Sequence, residues 1–198
     1  DRRQRQMCIR DSHYAHYGEE FGKTIAGFFS DEPELGNGHL YATDVVFGKA
    51  MDFPWSAPLE DALKEALGVD YGIKLALLWE EDADPEEKAR IRYAYMDAVT
   101  RLVEKSFSEQ LGSWCREHGA EYIGHLIEDN NMHARTGSSL GHYFRGLSGQ
   151  DMSGIDDIGG QVLPQGEDLN YDDGVFSKRI GEFYHYTVSY THLRAHET

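Results

Sequence analysis

Two short, mostly apolar runs separated by a long amphipathic stretch constrain the fold of this chain more than any other feature. Residues 24–29 and 121–126 favour β-structure, and each run leads into an acidic loop. After Asp84, apolar residues recur at three- and four-residue steps, which predicts one long helix or two stacked helices. Asp84 suits the N-cap and Pro85 the first helical position, and Glu87 completes a capping-box pattern. The chain is thus predicted to run strand, helix, strand.

Further predicted elements extend this alternation. Residues 59–67 are predicted to form a helix that stops at Gly68, residues 138–146 and 173–186 two more helices, and residues 155–162 a third strand. Such alternation is typical of parallel βα units, in either a doubly wound sheet or a (β/α)8 barrel. No glycine-rich phosphate loop follows a strand. Acidic clusters follow two strands at the ends where barrel active sites gather, so we predict an α/β fold, a partial (β/α)8 (TIM) barrel.

The charge balance excludes two classes of partner. The chain has 35 acidic and 19 basic residues, a formal net charge of -16. Nucleic acids and anionic membrane surfaces require clustered Lys and Arg, so neither is expected as a partner. No apolar run approaches the roughly 18 residues of a transmembrane segment. We expect a soluble protein, cytoplasmic or secreted, with the compartment left open.

The two ends show a relation that unrelated protein termini should not have. Codons for residues 7–12 can be chosen so that their reverse complement encodes residues 188–192. The flanks look like in-frame translation of the two arms of a transposon-type sequencing-library adapter, and such segments are set aside before fold reasoning. We expect residues 1–12 and 187–198 to be adapter-derived tails, and residues 13–186 to be an internal fragment of one domain.

Acidic residues just past two predicted strands are the candidate catalytic groups. Glu32 and Glu128 each follow a strand, with Asp31 and Asp129 beside them. In a barrel, both loops would open onto the same mouth. Two carboxylates that face each other across a sugar can cleave a glycosidic bond, because a protonated one donates to the leaving oxygen while an ionised one activates water or attacks the anomeric carbon. The alternative is solvated loop carboxylates in an acidic protein.

Aromatic and polar residues around these loops fit a sugar site, since sugars stack on aromatic rings and bind polar side chains. His125 is the strongest candidate, because the last inward residue of a barrel strand points at the mouth. The others are Trp55, Tyr93, His142, Tyr143 and Arg145. A core or helix-face position is the alternative for Trp55 and Tyr93, and a simple ion pair is the alternative for Arg145.

The loop carboxylates are also hard oxygen ligands of the kind that calcium and magnesium prefer. They are Asp31, Glu32, Glu34 and Asp129. The loop lacks the spaced pattern of a calcium loop, and no HExxH or CxxC motif occurs. No cofactor or catalytic metal is therefore expected, and a structural calcium ion near the site is the open alternative.

Four segments carry a family resemblance: GFFSDEPE (27–34), GHLIED (124–129), GHYFR (141–145) and DMSGID (151–156). They resemble blocks of large bacterial glycoside hydrolases of the family 2-like or α-L-rhamnosidase-like (family 106) type, over most of residues 13–186. The resemblance implies a (β/α)8 catalytic barrel with added β-sandwich domains. It implies Glu32 as the general acid and Glu128 as the base or nucleophile. The residues implied to hold sugar hydroxyls are Asp31, His125 and Asp129.

One departure from the family pattern leaves the stereochemistry open. The strand-end motif is Ser-Asp-Glu-Pro, where family 2 enzymes usually have an Asn-Glu pair at the acid residue. Asp156 and Asp157 are the alternative source of the second carboxylate. The separation of the two carboxyl groups would distinguish the outcomes, at about 5–5.5 Å for retaining and about 6.5–9.5 Å for inverting enzymes.

The resulting hypothesis is a glycosidase fragment acting on plant or host glycans, and the alternative is a non-catalytic carbohydrate- or calcium-binding barrel. Its expected partners are a carbohydrate substrate, the missing remainder of its own barrel and accessory β-sandwich domains. The 198-residue chain is expected to be inactive alone, because it holds roughly three or four of the eight barrel strands and leaves sheet edges exposed.

Overall fold

Three short parallel strands alternate with helices in the part of the chain that the structure describes. The structure is a computed structural model and describes residues 12–35, 53–126 and 140–154. Among the helices in these ranges, none is both long and apolar enough to cross a bilayer. In chain order the elements are α1 (Ala15–Tyr17), a 3-10 turn (Gly18–Glu20), β1 (Gly27–Ser30), α2 (Ala57–Leu67), α3 (Tyr71–Ala76), α4 (Pro85–Val103), a π-helical turn (Glu104–Ser108), α5 (Glu109–Glu117), β2 (Glu121–Gly124), α6 (Tyr143–Leu147) and β3 (Met152–Ser153).

The long helix begins where the sequence predicts. The Asp84 side chain accepts a hydrogen bond from the backbone N–H of Glu87 at 3.2 Å, and Pro85 occupies the first helical position. The reciprocal half of the predicted capping box is not formed, because the Glu87 carboxylate accepts hydrogen bonds from Arg90 at 2.6 and 2.9 Å. α4 continues through the π-helical turn into α5, and the chain leaves α5 through Gly119 at φ 74°. The predicted long helix is confirmed.

The predicted helix before it is also confirmed, and both helices share one core. α2 is N-capped by Ser56, which accepts a hydrogen bond from the Leu59 N–H at 3.3 Å, and the helix ends at Gly68. Its leucines pack against the apolar stripe of α4, and burial of such side chains contributes about 1.5–3 kcal/mol each. The least exposed members of this core are Leu59, Leu63, Ile91, Tyr95, Leu126 and Leu147.

The sheet has the order β1-β2-β3, and all pairs are parallel. Gly27 pairs with Glu121 and Ser30 with Gly124, so the predicted parallel pairing of the first two strands is confirmed. The third strand lies at Met152–Ser153, just before the predicted range of 155–162, which falls outside the described residues.

The remaining sequence predictions fall partly or wholly outside the described residues. α6 begins at Tyr143, inside the predicted helix 138–146, whose first two residues lie outside the described residues. The predicted helix 173–186 and nearly all of both predicted tails also lie outside them. The observed alternation of strands and helices agrees with βα units, whereas closure into a barrel remains a prediction.

The two faces of the sheet have different surroundings. Phe28 of β1 and Tyr122 of β2 point toward α5, where Phe28 meets Trp114 and Tyr122 packs with the buried Cys115. This side is called the helix-covered face. Because side chains alternate along a strand, the next residues point the other way. They are Phe29, Ile123 and Met152, which share one register across the three strands and are called the open face.

Candidate functional site

The carboxyl ends of β1 and β2 bring Asp31 and His125 together. The register that pairs Ser30 with Gly124 places the next residue of each strand side by side. The His125 Nε2 lies 3.2 Å from Asp31 Oδ1. The histidine side chain is 10% exposed, whereas the carboxylate is 80% exposed. A largely buried imidazole therefore holds a carboxylate that solvent, or a ligand, can reach.

A close approach between the two strands requires glycine beneath this pair. A Cβ at Gly124 would overlap the carbonyl oxygen of Ser30 and lie 3.1 Å from the Gln150 Nε2. The carbonyl of Gly124 accepts the Gly154 N–H at 2.9 Å and so joins β2 to the end of β3. The strand ends are thus tightly packed, and His125 continues directly from this fixed backbone.

Glu32, the residue after Asp31, has an unusual backbone conformation. Its φ of 43° is the one positive value among the non-glycine residues that the structure describes. For a residue with a Cβ, such a conformation costs about 1–3 kcal/mol and persists only where the surroundings hold it. Glu32 is half-buried, and Pro33 follows it. The candidate acid is therefore held at a sharp break in the chain directly after β1.

His142 and Arg145 have structural roles at the start of α6. The His142 Nδ1 accepts a hydrogen bond from the Arg145 backbone N–H at 3.3 Å and so caps the helix. Loss of hydration lowers the pKa of His142, and the neighbouring Arg145 cation lowers it further. Neutral imidazole, the form that can accept this hydrogen bond, is thereby favoured.

The Arg145 guanidinium binds side chains of α4. It lies 2.7 Å from Asp97 Oδ1 and donates to Thr100 Oγ1 at 2.6 Å. The guanidinium is mostly buried, so it ties α6 to α4. This confirms the alternative given for Arg145, a structural ion pair, and its contact with a sugar stays a prediction.

The aromatic candidates have three different surroundings. Trp55 is half-exposed and stacks on Tyr71 of α3, with ring centroids 6.3 Å apart. Tyr93 is exposed on α4, and Tyr143 is buried in the helical core. The helix-face alternative describes Tyr93, whereas Trp55 lies just before α2 and outside the core, and the contact of either residue with a sugar stays a prediction.

The second half of the candidate acid pair lies outside the described residues. Glu128 and Asp129 follow His125 by three and four residues in the sequence, and Asp156 and Asp157 follow β3. Within residues 12–35, 53–126 and 140–154, no group of three or more His, Cys, Asp or Glu side chains is arranged to hold a metal ion.

Two features near the site were missed by the sequence analysis. The ring of Phe29 lies 5.5 Å from the His125 ring and belongs to the same face of the sheet. Strict alternation along residues 27–31 would have placed Phe29 with Asp31, so a signal was present. The buried Gln150, beside Tyr122, had no comparable signal. Burial raises the pKa of Tyr122, while the neighbouring polar groups of Ser30 and Gln150 act in the opposite direction.

Comparisons of the chain with protein-family models, with curated proteins and with solved structures find no match.

Proposed function

We propose that this chain is part of the catalytic barrel of a glycoside hydrolase that cleaves glycosidic bonds in plant or host glycans. The observation that supports the proposal is the Asp31–His125 contact at the adjacent carboxyl ends of two parallel strands. Active sites of parallel α/β folds form at these ends, because loops from neighbouring strands converge there. Glu32 comes directly after this contact, and Glu128 follows His125 by three residues in the sequence.

The proposed chemistry divides two roles between two carboxyl groups. Glu32 acts as the general acid and protonates the leaving glycosidic oxygen. Glu128 acts as the base that activates water or as the nucleophile that attacks the anomeric carbon. Asp157 or Asp156 replaces Glu128 in this role if the second carboxylate comes from the segment after β3. The charge that develops on the sugar ring in the transition state favours a site rich in carboxylates, such as Asp31, Glu32, Glu128 and Asp129 would form.

Asp31, His125 and Asp129 bind sugar hydroxyls in this proposal. Asp31 suits the role because its carboxylate is exposed while the buried His125 fixes its position. A carboxylate held in this way accepts hydrogen bonds from two neighbouring hydroxyls without losing much side-chain entropy on binding. Arg145 and His142 contribute by holding α6 in place, a role that follows from their contacts.

The test is Glu32→Gln in the uninterrupted enzyme, measured by hydrolysis of aryl glycosides and of oligosaccharides. Loss of the acid should lower kcat by about 10²–10⁴-fold. Glu34→Gln is the matched control, because Glu34 lies in the same loop and is exposed; it should keep activity near that of the wild type. Activity of Glu32→Gln within a few-fold of the wild type would exclude the proposed role. Glycan binding without hydrolysis by the unmodified enzyme would instead indicate a non-catalytic binding barrel.

A further inference from the structure

A buried polar cluster lies on the helix-covered face, at the carboxyl ends of β1 and β2. Gln150 and Tyr122 are each 2% exposed. Burial raises the pKa of Tyr122, and the polar groups of Ser30 and Gln150 lie near enough to its hydroxyl to oppose that rise. Ser30 is the last residue of β1, and Tyr122 belongs to β2. The cluster of Ser30, Tyr122 and Gln150 therefore spans the first two strands where they end.

The Gln150 amide also lies against the end of β2. Its Nε2 would be 3.1 Å from a Cβ placed on Gly124. The backbone around it is fixed on two sides, because the Gln150 N–H donates to the Leu147 carbonyl of α6 at 3.0 Å. The next residue, Asp151, accepts the Tyr122 N–H at 2.8 Å. The amide is thus held at one place between α6 and the sheet.

Packing alone does not explain a glutamine at this position. Burial of an amide costs free energy that only polar partners return, whereas a methionine of nearly the same length would fill the space without that cost. The neighbouring Tyr122 packs with the buried Cys115, so the surroundings are otherwise largely apolar. A buried polar network fixes the relative position of the groups that it joins. Here those groups are the ends of two strands.

The strained part of the backbone comes directly after this cluster. Asp31 and Glu32 follow Ser30, and Glu32 has a φ of 43°. Such a conformation persists only where the surrounding structure holds it. Ser30, paired with Gly124, is the last residue of β1 that the strand pairing fixes. Whatever holds Ser30 therefore sets the direction in which the next two residues leave the sheet.

We propose that Gln150 is a positioning residue of the candidate site. Its amide fixes the end of β1 against β2, and so holds Asp31 beside His125 and Glu32 in its left-handed conformation. Gln150 contacts no substrate in this proposal and acts only through the strand ends. The inference rests on the proposed function, which gives these carboxylates their roles, but its test requires no hydrolysis.

Glycine and alanine at position 32 report on this conformation in the 198-residue chain. Both remove the carboxylate, but only alanine keeps the Cβ that disfavours a positive φ, so their difference isolates the backbone strain. With the cluster intact, Glu32→Gly should have a urea midpoint about 0.5 M above that of Glu32→Ala. In a Gln150→Met background the order should reverse, because a relaxed glycine loses more conformational entropy on folding than alanine. A Tyr122→Phe background, which removes only the hydroxyl, should act in the same direction.

The same pair of substitutions at Glu34 is the control. Glu34 is exposed, lies in the same loop and has no positive φ, so alanine should be the more stable there in every background. An equal margin of glycine over alanine at position 32 with and without Gln150→Met would overturn the proposal, since a role in stability alone lowers both midpoints equally.

Two further outcomes also overturn it, and one separates it from the proposed function. Reversal with Tyr122→Phe but not with Gln150→Met would assign the role to Tyr122 instead. Alanine above glycine already in the intact chain would mean that nothing holds position 32 in the left-handed region. Reversal as expected, together with full hydrolase activity of Glu32→Gln, would remove the proposed acid role and leave this inference standing.

Discussion

The two faces of the sheet show how differently one set of strands is used on its two sides. On the helix-covered face, Phe28 packs against Phe21 and Trp114, and burial raises the pKa of Cys115 to about 11. On the open face, Phe29 is exposed and its ring lies beside that of His125. The first face supplies the burial that holds the strands in place, and the second carries the residues that a ligand can reach.

The backbone of the helix-covered face is anchored at several points. Asp151 accepts a hydrogen bond from the Tyr122 N–H at 2.8 Å, and its other carboxylate oxygen lies 2.9 Å from Arg116 of α5. The Arg116 guanidinium also donates to the Gly149 carbonyl at 3.1 Å. The link between α6 and β3 is therefore fixed to both the sheet and the helix behind it.

The substitution with the largest expected effect on stability tests how closely the backbone is packed behind the helix-covered face. A methyl group at Gly149 would overlap the carbonyl of Ser108 in the π-helical turn. We expect Gly149→Ala to lower the free energy of unfolding by more than about 3 kcal/mol, because overlap with backbone cannot be relieved by side-chain rotation. Urea denaturation measures it. Gly72→Ala is the control, since nothing lies within 4 Å of its added Cβ, and a gain of about 0.5–1 kcal/mol is expected there. Similar effects at both sites would contradict the close approach.

Substitutions of two adjacent phenylalanines, one on each face, compare how much each face contributes to stability, and an effect of intermediate size is expected. Phe28→Ala removes a ring packed against Phe21 and Trp114, and should cost about 1–3 kcal/mol in the 198-residue chain. Phe29→Ala removes a ring of the same size from the open face, and should cost less than about 0.5 kcal/mol. Thermal or urea unfolding of the two variants measures the difference directly. Equal losses would show that both faces are already covered in this chain.

The smallest effect concerns the ion pair that joins α6 to α4. Hydrogen bonds from Arg101, and then from Arg145, lower the pKa of Asp97. The folded state therefore releases this proton more readily than the unfolded chain, so the stabilisation is present above the ordinary aspartate pKa of about 3.9 and is lost as pH falls through the lower folded value. We expect Asp97→Asn to cost about 1 kcal/mol at neutral pH, and the cost to shrink as pH falls below the ordinary aspartate pKa.

Unfolding free energies measured from pH 3 to pH 7 check this expectation. Asp61→Asn is the control, because Asp61 is exposed and lies 3.9 Å from Lys64; its stability should follow that of the wild type. A cost for Asp97→Asn that does not change with pH would mean that the Asp97 charge contributes nothing, and that packing alone explains the loss.

Local signals in the sequence predicted the parts of the fold that local chemistry decides. Asp84 and Pro85 identify the start of α4, and Gly68 identifies the end of α2, because caps and breakers act within a few residues. The parallel pairing of residues 24–29 with 121–126 was also predictable, since a long helix between two apolar runs leaves few alternatives. The same pattern predicted His125 as the last inward residue of its strand, and the residue lies directly after β2, which ends at Gly124.

Features decided by distant contacts were not predictable. α3 contains Gly72 and is only six residues long, so its sequence signal is weak; the buried Leu75 and the hydrogen bond from Lys74 to the Leu67 carbonyl hold it. Arg145 belongs to a segment that suggested a sugar site, yet its partners are 45 and 48 residues away. A sequence shows which residues are polar, but not which of them form hydrogen bonds or ion pairs inside the protein.

The π-helical turn between α4 and α5 allows one continuous helix to pack in two different hydrophobic cores, the helical core and the helix-covered face of the sheet. Val103 is buried, and the next fully buried residue is Ser108, five positions on. One extra residue advances the phase of a helix by roughly 100°, so the stripe after the turn points in a new direction. Deleting a single residue from 104–108 would rotate Cys115 away from the strands. The extra residue in the π-helical turn therefore lets α4 pack in the helical core while α5 packs against the sheet.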